Sequence, residues 1–411
     1  MRLTSSRHLV LSMAVLLAAA GRASSSDDGA AATTDGLSLE AAAQAAVAAT
    51  PPPAAPKPVP VTPEPRKLWG GEDGEIRLLN RLQFRWSDTF PDDSVQLSGT
   101  GAPGDSKGQF RIRRAKTELT GWVWKKELTY ELQLSWAGPE PGASTQTPLE
   151  DFILSYDVSK NGQFKVTVGQ FKVPLGRQEM TSSGKQLFCD RDLLSFEFTR
   201  GRDIGIQLEG ALAKGKFEYM AGIFNGNPAS RLGNDNDKYQ YNLRLSFQPF
   251  GDVKYSEGDF ESKDKPLLAI SGQFEHNDQR RPGTAGLDPI VSLKTVVWGG
   301  DVVLKMGGLY LFGEYFGRER EPVSGPSFRS DGWHAQAGYF LVRNKLEAGI
   351  RYARWDPTDQ RAGDDQIEQG IALNYFFRKH GLKLQGDYRQ IEDKRDATKT
   401  KELRIQTQVM F

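Results

Sequence analysis

The side chains able to do covalent chemistry are few. Cys189 is the sole cysteine, and the four histidines stand at positions 8, 276, 334 and 380. No two of them have the i, i+4 spacing of a helical metal-ligand pair, and neither G-x-S-x-G nor H-E-x-x-H occurs. A hydrolase needs a nucleophile, a base beside it and a third group to orient the base. His276 and His334 would have to find a serine through the fold, and Cys189, between Phe188 and Asp190, reads as a packed loop thiol. The expectation is no enzyme, no metal and no cofactor. What the chain offers instead is spaced charge. Arg77, Arg81 and Arg85 recur every four residues, and in an extended strand they share one face over roughly 26 Å. Arg111 and Arg113 follow, and Lys383, Arg389 and Arg404 stand near the C-terminus. Such rows act without covalent chemistry, by concentrating and orienting small ions of opposite sign.

The composition narrows what could carry these rows. The 411 residues include 53 Lys+Arg against 52 Asp+Glu, a formal charge of +1, and the mean hydropathy is −0.52. Without a basic excess the chain is not an ordinary nucleic-acid binder. One cysteine excludes an intramolecular disulfide framework and any multi-cysteine metal site. No apolar run of about 18 residues lies beyond the extreme N-terminus, so a helical membrane protein is excluded too. Yet 43 residues are glycine and 10% are aromatic, a bias that fits a transmembrane β-barrel.

Residues 1–23 read as a secretory signal, with Arg2 and Arg7 before an apolar core at 9–20 and Gly21-Arg-Ala23 as a small-x-small cleavage site. Residues 24–66 are rich in Ala, Pro, Ser and Thr, an extended periplasmic tether in which 37–49 could form a short helix. The barrel is expected over 67–411, which carries 48 basic and 47 acidic residues.

From Glu75 onward the dominant period is two. Leu403, Ile405, Thr407, Val409 and Phe411 fall on one face, and Glu402, Arg404, Gln406, Gln408 and Met410 on the other. Sixteen such segments are expected: about 75–87, 109–122, 125–136, 149–158, 163–170, 202–213, 215–224, 237–249, 265–277, 291–304, 307–317, 331–343, 345–354, 366–377, 381–391 and 399–411. Their lengths suit tilted strands crossing a bilayer. Long and short connections alternate, with only the eighth (250–264) breaking the rule. Short turns at one end and long loops at the other define an outer-membrane barrel with an even strand number and no free edge. The fold class is therefore all-β, a 16-stranded antiparallel transmembrane barrel in contact with outer-membrane lipid.

With the apolar face toward lipid, the other face lines a lumen. Arg77, Arg81, Arg85, Arg111, Arg113, Lys383, Arg389 and Arg404 then form a basic wall where the last strand closes on the first. A bulge near Arg113-Arg114 is needed to bring Lys116 back inside. Asp387 and Glu402 share that wall. Most inward acids lie elsewhere (Glu131, Asp203, Glu209, Glu218, Glu275, Asp301, Glu314, Glu347, Glu368), giving a transverse field. The fifth connection, Phe171 to about Gly201, carries Leu187, Phe188, Leu193, Leu194, Phe196 and Phe198, too many apolar side chains for a loop in water. It is expected to fold inward onto the wall as a constriction, presenting Lys172, Arg177, Lys185 and Arg191 beside Glu179, Asp190, Asp192 and Glu197.

Four stretches carry a family resemblance: Phe110-Arg-Ile-Arg-Arg-Ala-Lys-Thr-Glu-Leu-Thr-Gly121, Val168-Gly-Gln-Phe-Lys-Val-Pro-Leu-Gly176, Arg200-Gly-Arg-Asp-Ile-Gly-Ile-Gln-Leu-Glu-Gly210 and Gly370-Ile-Ala-Leu-Asn-Tyr375. Over roughly 75–411 the chain resembles the phosphate-selective porins O and P. The resemblance implies a barrel, usually trimeric, whose inward third extracellular loop and arginine-lined wall pass anions; in this chain that loop is the fifth connection. The expected function is a water-filled outer-membrane channel for small hydrophilic solutes, preferring phosphate or similar anions. A weakly selective general porin and a structural barrel plugged by its loop are the alternatives, with a barrel hydrolase behind them. The balance of 48 bases and 47 acids departs from the pronounced cationic lumen of phosphate-selective members.

Overall fold

The computed structural model describes residues 64–91, 108–137, 148–227, 233–234, 236–261, 264–281, 291–322 and 325–411. The expected signal segment and the possible helix at 37–49 lie outside the described residues. Seventeen strands follow in order: β1 (Arg66–Gly70), β2 (Gly74–Pro91), β3 (Gln109–Val123), β4 (Lys125–Ser135), β5 (Leu149–Asp157), β6 (Lys165–Lys172), β7 (Arg202–Leu212), β8 (Phe217–Phe224), β9 (Gln240–Phe247), β10 (Leu267–Arg281), β11 (Val291–Met306), β12 (Leu309–Pro322), β13 (Phe328–Val342), β14 (Leu346–Asp356), β15 (Gln366–Phe376), β16 (Leu382–Asp393) and β17 (Thr398–Met410). Each of β2–β17 pairs antiparallel with its sequence neighbours, and β17 pairs with β2 from Met410↔Arg81 to Thr400↔Pro91. These sixteen strands form a closed barrel and answer one for one to the sixteen alternating segments.

The alternation is physical. In β17, Arg404, Gln406 and Gln408 are fully buried, whereas Ile405, Val409 and, just beyond the strand, Phe411 are 45%, 37% and 59% exposed. Apolar side chains face outward and polar ones inward, the reverse of a soluble protein and the arrangement lipid requires. The turns β3–β4, β7–β8, β11–β12 and β13–β14 are tight. At β11–β12, Gly307 and Gly308 both take positive φ (59° and 90°), as a two-residue hairpin turn demands.

β1 lies just upstream of the barrel and was not expected as a strand. It pairs with β2 from Arg66↔Leu78 to Gly70↔Glu75. β17 runs out at Arg81, and Asn80 exchanges backbone hydrogen bonds with Phe411. β1 thus continues along β2 where β17 stops, and fills backbone positions that would otherwise lack partners.

Apolar clusters form where connections meet strands. Phe171, Val173, Leu175, Leu193, Leu194 and Phe198 pack with Phe224, Val297, Phe316 and Ala353. Leu187 and Phe188 pack with Val253, Ala269, Val303, Tyr310, Phe312 and Ala372. Of the six apolar residues that marked the fifth connection as a packed loop, five are buried; Phe196 is exposed.

Candidate functional site

Two connections bring the site together. The first, 173–201, begins two residues later than expected because β6 continues to Lys172. It contains helix α1 (Arg177–Met180), a 3-10 turn (Ser183–Lys185) and helix α2 (Leu193–Phe198). Asp192 caps α2, accepting from the Leu194 and Ser195 amides at 2.6 and 3.0 Å. The second is the rule-breaking eighth connection between β9 and β10. Its Val253, Glu257, Asp259 and Phe260 are buried. Glu257 accepts from the Leu187 amide at 2.6 Å, its own amide donates to Lys185 O at 2.8 Å, and Arg177 donates to Val253 O at 2.5 Å and lies over the Tyr255 ring.

The segment 173–201 is fastened to strands far apart around the barrel. The Arg177 amide donates to Glu314 on β12 (2.6 Å), the Leu193 amide to Glu368 on β15 (2.8 Å), and the Cys189 amide to Asp387 on β16 (2.7 Å). His334 on β13 meets Asp192 at 2.8 Å. Leu187 sits over the paired glycines Gly338 and Gly349, where an added Cβ would lie 3.2 and 2.8 Å from its Cδ2.

The basic rows do come together. The bulge expected at Arg113-Arg114 is present, since Gln83 pairs with Arg114 and Phe84 with Ile112. It turns both arginines toward one carboxylate, so Arg114 belongs to the cluster although the expected wall stopped at Arg113. Asp190 receives Arg85, Arg113 at 3.1 Å, Arg114 at 3.2 Å and Arg404 at 3.5 Å. Arg85 also donates to Cys189 O (2.8 Å) and Gln406 (2.7 Å), and Arg404 grips Asp387 at 2.6 and 2.9 Å. Burial works against the Asp190 carboxylate, but Arg85, Arg113 and Arg114 outweigh it and hold the group well below the usual carboxylate range. Burial pushes the Cys189 thiol up, so it stays protonated and unreactive.

A cavity of about 1080 Å³ runs from Glu75, Trp122 and Lys165 at the short-turn end to Arg200, Arg318 and Arg320 at the long-loop end. Of the eight wall residues, Arg77 and Arg81 line it. Arg85, Lys383 and Arg404 are fully buried instead. Lys383 donates to Gln186 O at 3.1 Å, so these three hold the segment 173–201. Arg389 pairs with Glu402 at 2.7 Å, and Arg111 is exposed beside Arg85 in register. Of the loop residues, Lys172, Glu179, Lys185 and Arg191 line the cavity, while Arg177, Asp190 and Asp192 are turned away from it into buried contacts. Lys172 and Arg191 share Glu179 at 3.8 and 3.0 Å. The expected segregation of charge is blurred by pairing. Arg244 neutralises Asp301 at 2.6 Å, and Arg351 meets Glu368 at 3.3 Å on the acidic side. Arg351 also covers the Phe188 ring, and Arg318 the Phe198 ring. Neither arginine stood out in the alternating pattern. Eleven basic and nine acidic side chains line the cavity.

A closed sixteen-stranded barrel with an apolar outer belt and charged interior defines a porin-type protein of the bacterial outer membrane. The chain belongs to the phosphate-selective porin O and P family, whose model matches residues 93–411, starting after β2 rather than at about 75. It is similar to an uncharacterized protein of Aquifex aeolicus (strain VF5), 23% identical over 276 residues that cover 61% of this chain and 65% of that one. Among solved structures it resembles an anion-selective porin from Comamonas acidovorans (13% identity, TM-score 0.57, 82% of this chain and all of that one). It also resembles the outer-membrane channel DcaP of Acinetobacter baumannii (12%, 0.56, 83% and 99%). The trimer form of OmpT from Vibrio cholerae shares the fold as well (11%, 0.54, 82% and 100%).

Proposed function

We propose that the protein is a water-filled outer-membrane channel for passive diffusion of small hydrophilic solutes, with a mild preference for anions such as phosphate. The observation that carries this reading is the charged cavity running between the two ends of the closed barrel. The segment 173–201 narrows the lumen, and its Lys185 and Arg191 line the remaining passage together with Lys172, Arg77 and Arg81. Family membership favours anions. The lining of eleven bases and nine acids favours a second reading, a general and weakly selective porin. A homotrimer accords with the trimeric form of one structural neighbour.

Full-length protein in a planar bilayer is expected to give discrete conductance steps, with a small anion-favouring reversal potential in a KCl gradient. Arg81→Ala should move the reversal potential toward cations. Arg85→Ala should instead loosen the 173–201 segment, because Arg85 is buried beneath it. Absence of steps from a folded barrel would leave the plugged structural barrel as the answer, and a cation-favouring reversal would overturn the anion preference.

A further inference from the structure

Most charges lining the cavity cancel in pairs. Arg77 pairs with Glu75, Lys116 with Glu150, Lys165 with Glu209, and Arg202 with Glu150 and Asp151. Lys172 and Arg191 share Glu179. Among the lining groups outside these pairs are the Glu118 carboxyl on β3, the Glu131 carboxyl on β4 and the Lys185 ammonium at the end of the 3-10 turn. Each is only half-buried and lines the cavity, and among the described residues none has a side-chain hydrogen bond or ion pair. Glu118 stands across from Gln133 and Glu131 across from Thr120, so the two carboxylates sit diagonally on neighbouring strands. Arg81 donates to Ser183 at 2.9 Å, which brings the 3-10 turn to the β2 side of the passage. Glu118 and Lys185 lie within electrostatic reach of one another without touching, and the Arg81 guanidinium lies within reach of both.

Acidic side chains on the wall and a basic one on the segment therefore line one passage without pairing. A solute of single charge meets one attractive and one repulsive pole there. A solute bearing both charges meets attraction at both, and low-dielectric walls strengthen the effect. We propose that this opposition is a subsite for zwitterionic solutes, with their ammonium toward Glu118 and Glu131 and their carboxylate toward Lys185. The proposal rests on the reading of the cavity as a water-filled passage. It also accounts for a nearly balanced lining in a chain that belongs to an anion-associated family.

The test uses the full chain in planar bilayers with 6-aminohexanoate, hexanoate and hexylammonium added at equal concentration. The zwitterion is expected to interrupt the current about tenfold more effectively than either single-charge analogue, the effect of one added charge-assisted contact. The E118Q/E131Q pair and K185Q should each abolish that discrimination, and K185E should transfer it to 1,6-diaminohexane. Folding of each variant is checked by its β-sheet circular dichroism; if the strand variant fails to fold, K185Q, on the connection, decides. Equal interruption by all three probes in the unmodified protein, or discrimination that survives in the folded variants, would overturn the subsite while leaving the channel standing. Absence of any conductance would overturn the channel and the subsite with it.

Discussion

At the scale of single residues, Asp190 concentrates a strong electrostatic imbalance. One carboxylate holds Arg85, Arg113, Arg114 and Arg404, drawn from β2, β3 and β17. Removing a partner from a buried charge cluster is far more damaging than replacing the whole cluster, because the remaining charges stay desolvated and unpaired. Asp190→Asn is expected to weaken attachment of the 173–201 segment by roughly 3–5 kcal/mol, read as faster proteolysis within that segment while the strands resist. The pH dependence has a definite sign. A carboxylate whose folded pKa is depressed contributes in full above its ordinary pKa and loses its contribution only as pH falls through the depressed value. Asp190 and Asp192 are both lowered; burial opposes the shift in each, and arginines in the first case and His334 in the second overcome it. Through these two carboxylates, proteolysis of the segment should therefore rise only below about pH 4. Release between pH 6 and 5 would mean that these carboxylates do not hold it.

At the scale of elements, the strands were legible because each is bathed by two different solvents. Lipid outside and polar surroundings inside impose a period of two that survives averaging, so β17 could be read residue by residue. Even the bulge at Arg113-Arg114 was legible, since Lys116 could not otherwise return to the polar face. β1 was not. Its five residues follow a proline-rich stretch, and they are extended only because β2 continues past the end of β17, a tertiary fact. The rule-breaking length of the eighth connection was visible, but not that Glu257 and Tyr255 would meet the segment 173–201. The fit of Leu187 over Gly338 and Gly349 is likewise a meeting of distant elements. A side chain at 349 would strike Leu187 directly. Gly349→Leu is therefore expected to cost about 1–3 kcal/mol through overpacking, seen as a lower unfolding temperature and a more easily cleaved segment. Unchanged cleavage would show that Leu187 does not anchor there.

At the scale of the whole molecule, the charge map failed where it depended on what covers what. Strand alternation set the wall bases on one face, yet it could not show that Arg85, Lys383 and Arg404 would be fully buried against the segment 173–201 while Arg77 and Arg81 line the cavity. The two long connections pack against the side formed by β10–β17, and the cavity is lined mainly by β2–β7, with β10, β11 and β12 contributing toward its long-loop end. The eighth connection closes the β10–β17 side from the short-turn end. Phe260 packs there with Phe340, Phe376 and His380, Lys305 donates to Ser256 O at 2.6 Å, and Asp259 accepts from the Gly308 amide at 2.8 Å. Replacing residues 252–261 with two glycines removes these contacts and the support that Glu257 gives to Leu187. Phe260 alone accounts for about 1.5–3 kcal/mol of apolar burial. Water should then enter the β10–β17 side, so single-channel conductance is expected to rise and the current to become noisier, because the remaining segment is held from one side only. The barrel itself should persist, since its sixteen strands close without this connection. An unchanged conductance in a folded variant would mean that the eighth connection lies away from the current path.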